Sequence, residues 1–192
     1  MAQARILAFA GSLRKDSCNK RLVKVAAQGA EEAGAHVTFI DLKDYPLPVF
    51  DQDIEDAEGL PQAAKNLKAL FKSHDGLLIA SPEYNSSISG ALKNAIDWVS
   101  RPEKDEPPLS AFTGKVATLL AASPGALGGL RGLVHVRSIL GNINVIVLPD
   151  QLALPKALEA FNSDGTLKDA KSTERAKNLG RGLATFLQKL KA

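Results

Sequence analysis

Residues Arg5-Ile6-Leu7-Ala8-Phe9-Ala10 form an apolar run, and the polar stretch Gly11-Ser12-Leu13-Arg14-Lys15-Asp16-Ser17-Cys18-Asn19 follows it directly. A short apolar run bounded by polar residues predicts a buried β-strand. From about Ser17 onward, apolar side chains recur with a helical period, so a helix is expected to begin there. Strand, polar loop and helix in succession are the repeating unit of an α/β fold.

The polar stretch has the composition of a phosphate-binding loop. Two hydroxyls, one guanidinium and one amide side chain precede a helix whose first backbone N–H groups carry positive partial charge. An anion is stabilised in such a position. The alternative interpretation is an ordinary polar turn capped by Ser17, because Ser is a preferred N-cap residue whatever the loop does.

The rest of the chain repeats the alternation of apolar runs and amphipathic segments. Strands are predicted at residues 5–10, 37–40, 76–80, 116–122 and 144–148. Helices are predicted at about residues 17–33, 60–73, 90–100, 130–140 and 171–190, with loops at 101–114 and 149–165. The expected fold is therefore a flavodoxin-like three-layer α/β sandwich with a five-stranded parallel sheet of order 2-1-3-4-5 and helices on both faces; the Rossmann order is the alternative.

Composition narrows the class of protein. The 192 residues are 45% hydrophobic, and they contain no internal repeat or linker, so one domain over residues 1–192 is expected. The net charge of +3 is dispersed along the chain and gives no reason to expect a nucleic-acid partner. Cys18 is the single cysteine, the first apolar run is too short for a signal peptide, and no membrane-length segment follows. A cytoplasmic location is expected.

Three loops are predicted to meet at one edge of the sheet. They span residues 11–19, 81–87 and 123–129, and each follows the carboxyl end of one of three adjacent strands, where ligands of open α/β sheets bind. Two strand spacings, about 10 Å, separate the outer loops, which suits a ring joined to a phosphate through a ribityl chain. The second loop supplies a backbone fixed by Pro82, the amphipathic ring of Tyr84 and the amide of Asn85. The alternative is that the second and third loops are ordinary turns without a ligand.

Other chemistries find less support in the sequence. The first strand is not followed by the glycine pattern of dinucleotide-binding proteins, and Asp41 at the end of the second strand is interpreted as a cap. Neither a Walker loop nor a nucleophile elbow is present. The three histidines, His36, His74 and His135, lack metal-ligand spacing, so no metal site is predicted.

The chain resembles the NAD(P)H-dependent FMN reductase family, the flavodoxin-like quinone, azo-compound and chromate reductases, over about residues 5–190. The motifs that carry the resemblance are Gly11-Ser12-Leu13-Arg14 with Ser17 and Asn19, Pro82-Glu83-Tyr84-Asn85, Gly90-Ala91-Leu92-Lys93-Asn94-Ala95-Ile96-Asp97-Trp98, and Ser123-Pro124-Gly125 with Gly128-Gly129. The resemblance implies that the FMN phosphate is bound by Ser12, Arg14, Ser17, Cys18 and Asn19. It implies that the ribityl chain and ring meet Pro82, Glu83, Tyr84 and Asn85 on one side and Ser123, Pro124, Gly125 and Gly128 on the other.

The resemblance also implies an activity. NADPH or NADH passes a hydride to N5 of FMN and leaves, and a small-molecule acceptor such as a quinone, an azo compound, chromate or free flavin takes its place. No catalytic side chain is required, because the flavin supplies the chemistry. Family members are commonly homodimers or homotetramers; Ser86 stands where many carry an aromatic residue. The competing classes are a flavodoxin-type electron carrier without NAD(P)H activity of its own and a flavin-free binding module.

Overall fold

The computed structural model describes residues 3–191, which fold around a parallel sheet. The elements are β1 (Arg5–Ala10), α1 (Cys18–Glu32), β2 (His36–Asp41), a short 3-10 helix (Leu42–Asp44), α2 (Gln52–Glu58), α3 (Gln62–Ser73), β3 (Gly76–Ala80), β4 (Glu83–Tyr84), β5 (Ser87–Ile88), α4 (Gly90–Ser100), β6 (Val116–Ala122), α5 (Leu130–Asn142), β7 (Ile146–Leu154) and α6 (Ala170–Leu190). The five-stranded sheet has the order β2-β1-β3-β6-β7 with every pair parallel. The predicted order 2-1-3-4-5 is confirmed.

The sheet separates two hydrophobic cores, because successive side chains of a strand point to opposite faces. Ile6 and Ala8 of β1 face the core under α1 and α6, whereas Leu7 and Phe9 face the core under α3, α4 and α5. The strands β3 and β6 are buried along their whole length. This explains why their sequences are nearly continuous apolar runs, interrupted only by Thr118 of β6, rather than alternating patterns.

The helices α1 and α6 pack with their backbones in contact. A Cβ atom added at Gly180 would lie 1.9 Å from the carbonyl oxygen of Ala26, and one added at Gly29 would lie 2.1 Å from the carbonyl oxygen of Lys177. Only glycine permits this approach at either position. The long α6 therefore covers the face of α1, the helix whose N-terminus follows the predicted phosphate loop.

The last strand differs from its prediction. Residues 144–148 were expected to form it, but β7 runs to Leu154 and includes part of the segment predicted as loop. Residues 148–150 bulge out opposite Thr118 of β6, and pairing resumes at Gln151. Pro149 cannot donate a ladder hydrogen bond, and a bulge is one of the few places where a strand tolerates proline. Arg137 of α5 stabilises the bulge by donating to the carbonyl of Pro149 at 3.3 Å and to the side chain of Gln151 at 3.0 Å.

The helix α2 and the hairpin of β4 and β5 were not predicted. The helix α2 lies in an acidic, exposed segment without an apolar face, and its signal is the N-cap Asp51, whose side chain accepts from the amide of Asp53. The hairpin of β4 and β5 lies inside the second predicted loop. Neither segment carries the hydrophobic period on which the prediction of elements rests.

A buried lysine anchors the loop between α4 and β6. Lys68 of α3 is 1% exposed, and its ammonium group lies 2.5 Å from a carboxylate oxygen of Glu106 and 2.7 Å from the carbonyl oxygen of Arg101. The paired and hydrogen-bonded charge makes the burial of this lysine tolerable. Among the helices of residues 3–191, none combines the length and the apolar character needed to cross a bilayer.

Candidate functional site

The three predicted loops begin at the same level of the sheet. The amides of Gly11, Ser81 and Ser123, the first residues after their strands, each donate to a carbonyl at or near the end of the neighbouring strand, at 2.8 to 3.1 Å. The sheet ladder thus continues to the first residue of each loop and ends there. The predicted convergence of the loops at one edge of the sheet is confirmed.

Ser12 and Ser17 are both buried and shape the first loop. Ser17 is the N-cap of α1, and its hydroxyl accepts from the amide of Lys20 at 3.4 Å. The hydroxyl of Ser12 accepts from the amide of Arg14 at 3.3 Å. The interpretation of Ser17 as a helix cap is confirmed, and it does not compete with anion binding, because a hydroxyl that accepts one hydrogen bond keeps its own proton to donate.

Arg14 offers a free guanidinium at the mouth of the loop. It is exposed, and within residues 3–191 it forms no ion pair at 4 Å or less with any carboxylate. A planar guanidinium can donate two parallel hydrogen bonds to phosphate oxygens. Arg14 is therefore suited to binding an external anion; Lys15, the next residue, is exposed as well but lines a different pocket.

Asn19 has a different environment from the one that its residue type suggested. Its side chain is buried; Nδ2 donates to the carbonyl of Ala122, and Oδ1 accepts from the amide of Ala122, both at 2.9 Å. Both functional groups of the amide are therefore engaged by the end of β6. The side chain ties the start of α1 to the start of the third loop. The backbone amides of Cys18 and Asn19 belong to the first turn of α1, where backbone N–H groups have no acceptor within the helix.

A cavity of about 290 Å³ joins the first and second loops. Its lining consists of Gly11, Ser12, Leu13, Arg14, Tyr84, Ser89 and Ala91. Ser89 accepts from the amide of Leu92 at 3.2 Å as the N-cap of α4, and its hydroxyl donates to the carbonyl of Gly11. Ser89 was not among the predicted site residues, although a Ser directly before a helical pattern indicates an N-cap.

The second loop is a tight hairpin rather than an irregular turn. Asn85 and Ser86 form its tip with φ angles of 50° and 66°, the left-handed pair that defines a type I′ turn. Asn adopts left-handed φ angles with little strain, whereas Ser is strained in this conformation. Tyr84 precedes the tip, is half exposed and faces the cavity.

Glu83 connects the hairpin to α5. One of its carboxylate oxygens accepts from Nε and Nη2 of Arg131, at 2.9 and 2.6 Å, and the other accepts from the amide of Gly132 at 3.2 Å. Burial raises the pKa of Glu83, but the bonds from Arg131 and Gly132 outweigh it and hold the pKa below its usual range. Gly129, the N-cap residue of α5, has no side chain, so the carboxylate of Glu83 takes the place of a cap at this positive helix end.

The third loop contains two glycines that the fold requires. Gly128 and Gly129 have φ angles of 62° and 94°, and a Cβ atom at Gly128 would lie 2.7 Å from the backbone of β7. Ser123 is bonded through its backbone to Leu154 and Ala157, and its hydroxyl accepts from the amide of Gly125. Pro124 and Gly125 are partly or fully exposed. The strand end beside this loop is Leu154 of β7, whereas the fifth strand was predicted to end at residue 148.

The arrangement is suited to holding an elongated anionic ligand. Ser12, Arg14, Ser17 and the first amides of α1 lie at one end, and the hairpin of β4 and β5 and the glycine turn of residues 125–129 lie beside them on the neighbouring strands. This set of donors fits FMN: amides, hydroxyls and a guanidinium for the phosphate, and backbone-rich walls for a flat ring. Within residues 3–191, His, Cys, Asp and Glu form no group of three that could hold a metal ion.

Comparison with known proteins gives a consistent result. Residues 4–159 match the family model described as NADPH-dependent FMN reductase. The chain is 35% identical over 191 residues to a probable NADPH:quinone oxidoreductase of Oryza sativa, covering 97% of this chain and 90% of that protein. It is 34% identical over 188 residues to an NAD(P)H-dependent FMN reductase of Pseudomonas aeruginosa, covering 97% of each. Among solved structures, the flavoenzyme NAD(P)H:(acceptor) oxidoreductase FerB of Paracoccus denitrificans superposes with a TM-score of 0.80 at 28% identity, covering 97% of this chain and 98% of that one.

Proposed function

The chain belongs to the NADPH-dependent FMN reductase family, as an FMN-dependent oxidoreductase that uses NAD(P)H, and we propose that it reduces quinones or similar small acceptors at the three-loop site. The observation that carries the proposal is the cavity between residues 11–14 and Tyr84. It connects the first loop, which carries donors suited to a phosphate, to the hairpin of β4 and β5, which we assign to the flavin ring. The flavodoxin-type carrier is the less favoured alternative, since the relatives at 34 to 35% identity are named as reductases.

We assign the phosphate end of FMN to Ser12, Arg14, Ser17 and the backbone amides of Cys18 and Asn19. Arg14 provides charge, the two hydroxyls provide donors, and the amides belong to the positive end of α1. The Asn19 side chain acts indirectly in this assignment, because its bonds to Ala122 fix the position of the loop.

We assign the ring end to the second and third loops. Pro82, Tyr84 and Asn85 border one side of the ring, Glu83 holds their hairpin in place, and the turn of Ser123, Pro124, Gly125 and Gly128 borders the other side. When bound, FMN supplies the chemistry by taking up a hydride from NAD(P)H and passing electrons to the acceptor. The residues bind, orient and shield it, and none of them acts as a catalytic acid or base.

The phosphate assignment is tested by the substitution Arg14→Ala. Loss of a hydrogen-bonded charge pair weakens FMN binding by about 1.5 to 3 kcal/mol, measured by fluorescence titration of the apoprotein. The control is Arg175→Ala, which removes an exposed arginine of α6 and leaves the affinity unchanged. An unchanged affinity in Arg14→Ala contradicts the assignment of the phosphate site.

The activity is tested by steady-state oxidation of NADPH and NADH with a benzoquinone acceptor. The purified holoprotein is expected to be yellow and to turn over. Bound FMN without turnover favours the electron carrier instead, and a colourless protein that binds no FMN contradicts both. The ratio of the rates with NADPH and NADH establishes the preferred donor.

We further propose that the chain works as a single cytoplasmic FMN-binding domain, residues 1–192, that forms a homodimer or homotetramer. Support for assembly comes from an apolar groove of about 470 Å³ beside the site, which shares Leu13 and Ala91 with its cavity. Leu13 is 51% exposed, and the nearby Val49 is 83% exposed. It is the groove together with these residues, rather than any single exposed side chain, that supports a protein contact at this face. Light scattering of the wild type and of Val49→Glu tests the proposed assembly. A monomeric wild type contradicts the proposal.

A further inference from the structure

The pair of Glu83 and Arg131 joins the two loops assigned to the ring end of FMN, namely the hairpin of β4 and β5 and the loop of residues 123–129. Glu83 belongs to the hairpin, and Arg131 lies in the first turn of α5, directly after the glycine turn. Gly132 allows the close approach, because a Cβ atom there would lie 3.1 Å from the carbonyl oxygen of Ser87. A second bond, between Nδ1 of His135 and the hydroxyl of Ser87 at 2.8 Å, follows one turn along α5. The hairpin is thereby fixed along the helix.

The two charges of the pair differ in their exposure. The Glu83 side chain is 8% exposed, whereas that of Arg131 is 57% exposed. Because the bonds of Arg131 and Gly132 keep the pKa of Glu83 low, the carboxylate is ionised at neutral pH. Its charge is balanced by a single, solvent-facing guanidinium and by the positive end of α5. Removal of that guanidinium would leave a nearly buried negative charge between the two loops.

We propose that the Glu83–Arg131 pair sets the reduction potential of FMN bound between these loops, with Arg131 as the positioning residue that neutralises Glu83. The inference rests on the proposed function, which places the flavin ring there. Reduction brings additional negative charge onto the flavin, and the charges near its ring tune its electronics. An unbalanced carboxylate therefore opposes reduction, and an unbalanced guanidinium favours it.

This mechanism predicts shifts of opposite sign for the two halves of the pair. The substitution Arg131→Met lowers the potential, and Glu83→Gln, which can still accept from Gly132, raises it. Each shift is expected to reach about tenfold in the two-electron equilibrium constant, which corresponds to about 30 mV. The double variant returns toward the wild type, and Arg131→Lys, which keeps the charge, stays close to it.

The experiment is equilibrium titration of the FMN-loaded proteins against redox dyes of known potential, followed by the flavin absorbance. The control is Arg181→Met, which breaks an Arg–Glu pair with Glu32 at the contact of α1 and α6. Circular dichroism checks that each variant is folded. Single variants that shift in the same direction, a double variant no closer to the wild type than the single variants, or shifts no larger than that of Arg181→Met would each overturn the inference.

The outcomes also separate this inference from the proposed function. Yellow proteins that lack the opposite shifts overturn the role of the pair alone. A wild type that binds no FMN overturns the flavin assignment and the role of the pair together.

Discussion

The substitution Asn19→Ala tests whether this residue holds the site together or binds the cofactor with its side chain. In the structure, the amide of Asn19 satisfies both the N–H and the C=O of Ala122, at 2.9 Å each, in a position only 4% exposed. Alanine removes both partners and leaves two backbone groups buried without hydrogen bonds. A buried group left in this state costs about 1 to 3 kcal/mol. The free energy of unfolding is therefore expected to fall by about 2 to 6 kcal/mol.

The assay is urea unfolding of the apoprotein, followed by circular dichroism. The FMN-free form must be used, because a ligand that binds only the folded state adds its own stabilisation. Asn178→Ala is the matched control: Asn178 is an exposed asparagine of α6 whose side chain accepts from Arg181, and its loss is expected to change stability by less than about 0.5 kcal/mol.

The opposite pattern would refute the reasoning. If Asn19→Ala leaves the apoprotein as stable as the control does but weakens FMN binding tenfold or more, the side chain turns toward the phosphate in solution. The bonds to Ala122 would then not be the main role of Asn19.

Three other predictions follow from the structure. Hydrogen bonds from Lys68 and Lys72 lower the pKa of Glu106 from its ordinary value of 4.5 to about 2. The ionised Glu106 therefore stabilises the fold fully above pH 4.5, and this contribution is lost as the pH falls toward 2. The difference in urea midpoint between wild type and Glu106→Gln should shrink over that range, and a constant difference would contradict the prediction. Ser86→Gly relieves the strain of a left-handed φ of 66°, which is expected to raise the free energy of unfolding by about 1 kcal/mol. Calorimetry should then show a Tm higher by about 2 to 4 °C. A lower Tm would show that the serine side chain has a role of its own. Gly128→Ala meets both a left-handed φ and the backbone of β7, so urea unfolding should show a loss of about 1 to 3 kcal/mol, and no loss would mean that the turn adjusts freely.

The parallel sheet could be predicted because its central strands are buried on both faces. Such strands must be apolar throughout, so β1, β3 and β6 are visible in the sequence without knowledge of their neighbours. The position of the site follows from the same sheet, because the loops after adjacent parallel strands meet at one edge. The last strand was misplaced because Pro149 interrupts its apolar pattern and a bulge absorbs the interruption.

The side-chain roles within the site could not be predicted in the same way. Asn19 finds its partner 103 positions along the chain, and Glu83 finds Arg131 48 positions along. Local patterns report local structure, and neither separation leaves a periodic signal. A polar residue in a loop shows that a hydrogen bond will form but not whether its partner is a ligand or another part of the fold.

The backbone contact between α1 and α6 gives the protein an order of assembly. The loop of residues 11–19 leaves the ribosome before α6, which packs against Gly29 of α1 and comes last among the described elements. At a synthesis rate of about 5 to 20 residues per second, the nascent chain spends about 7 to 30 seconds with the side of α1 that α6 covers still exposed.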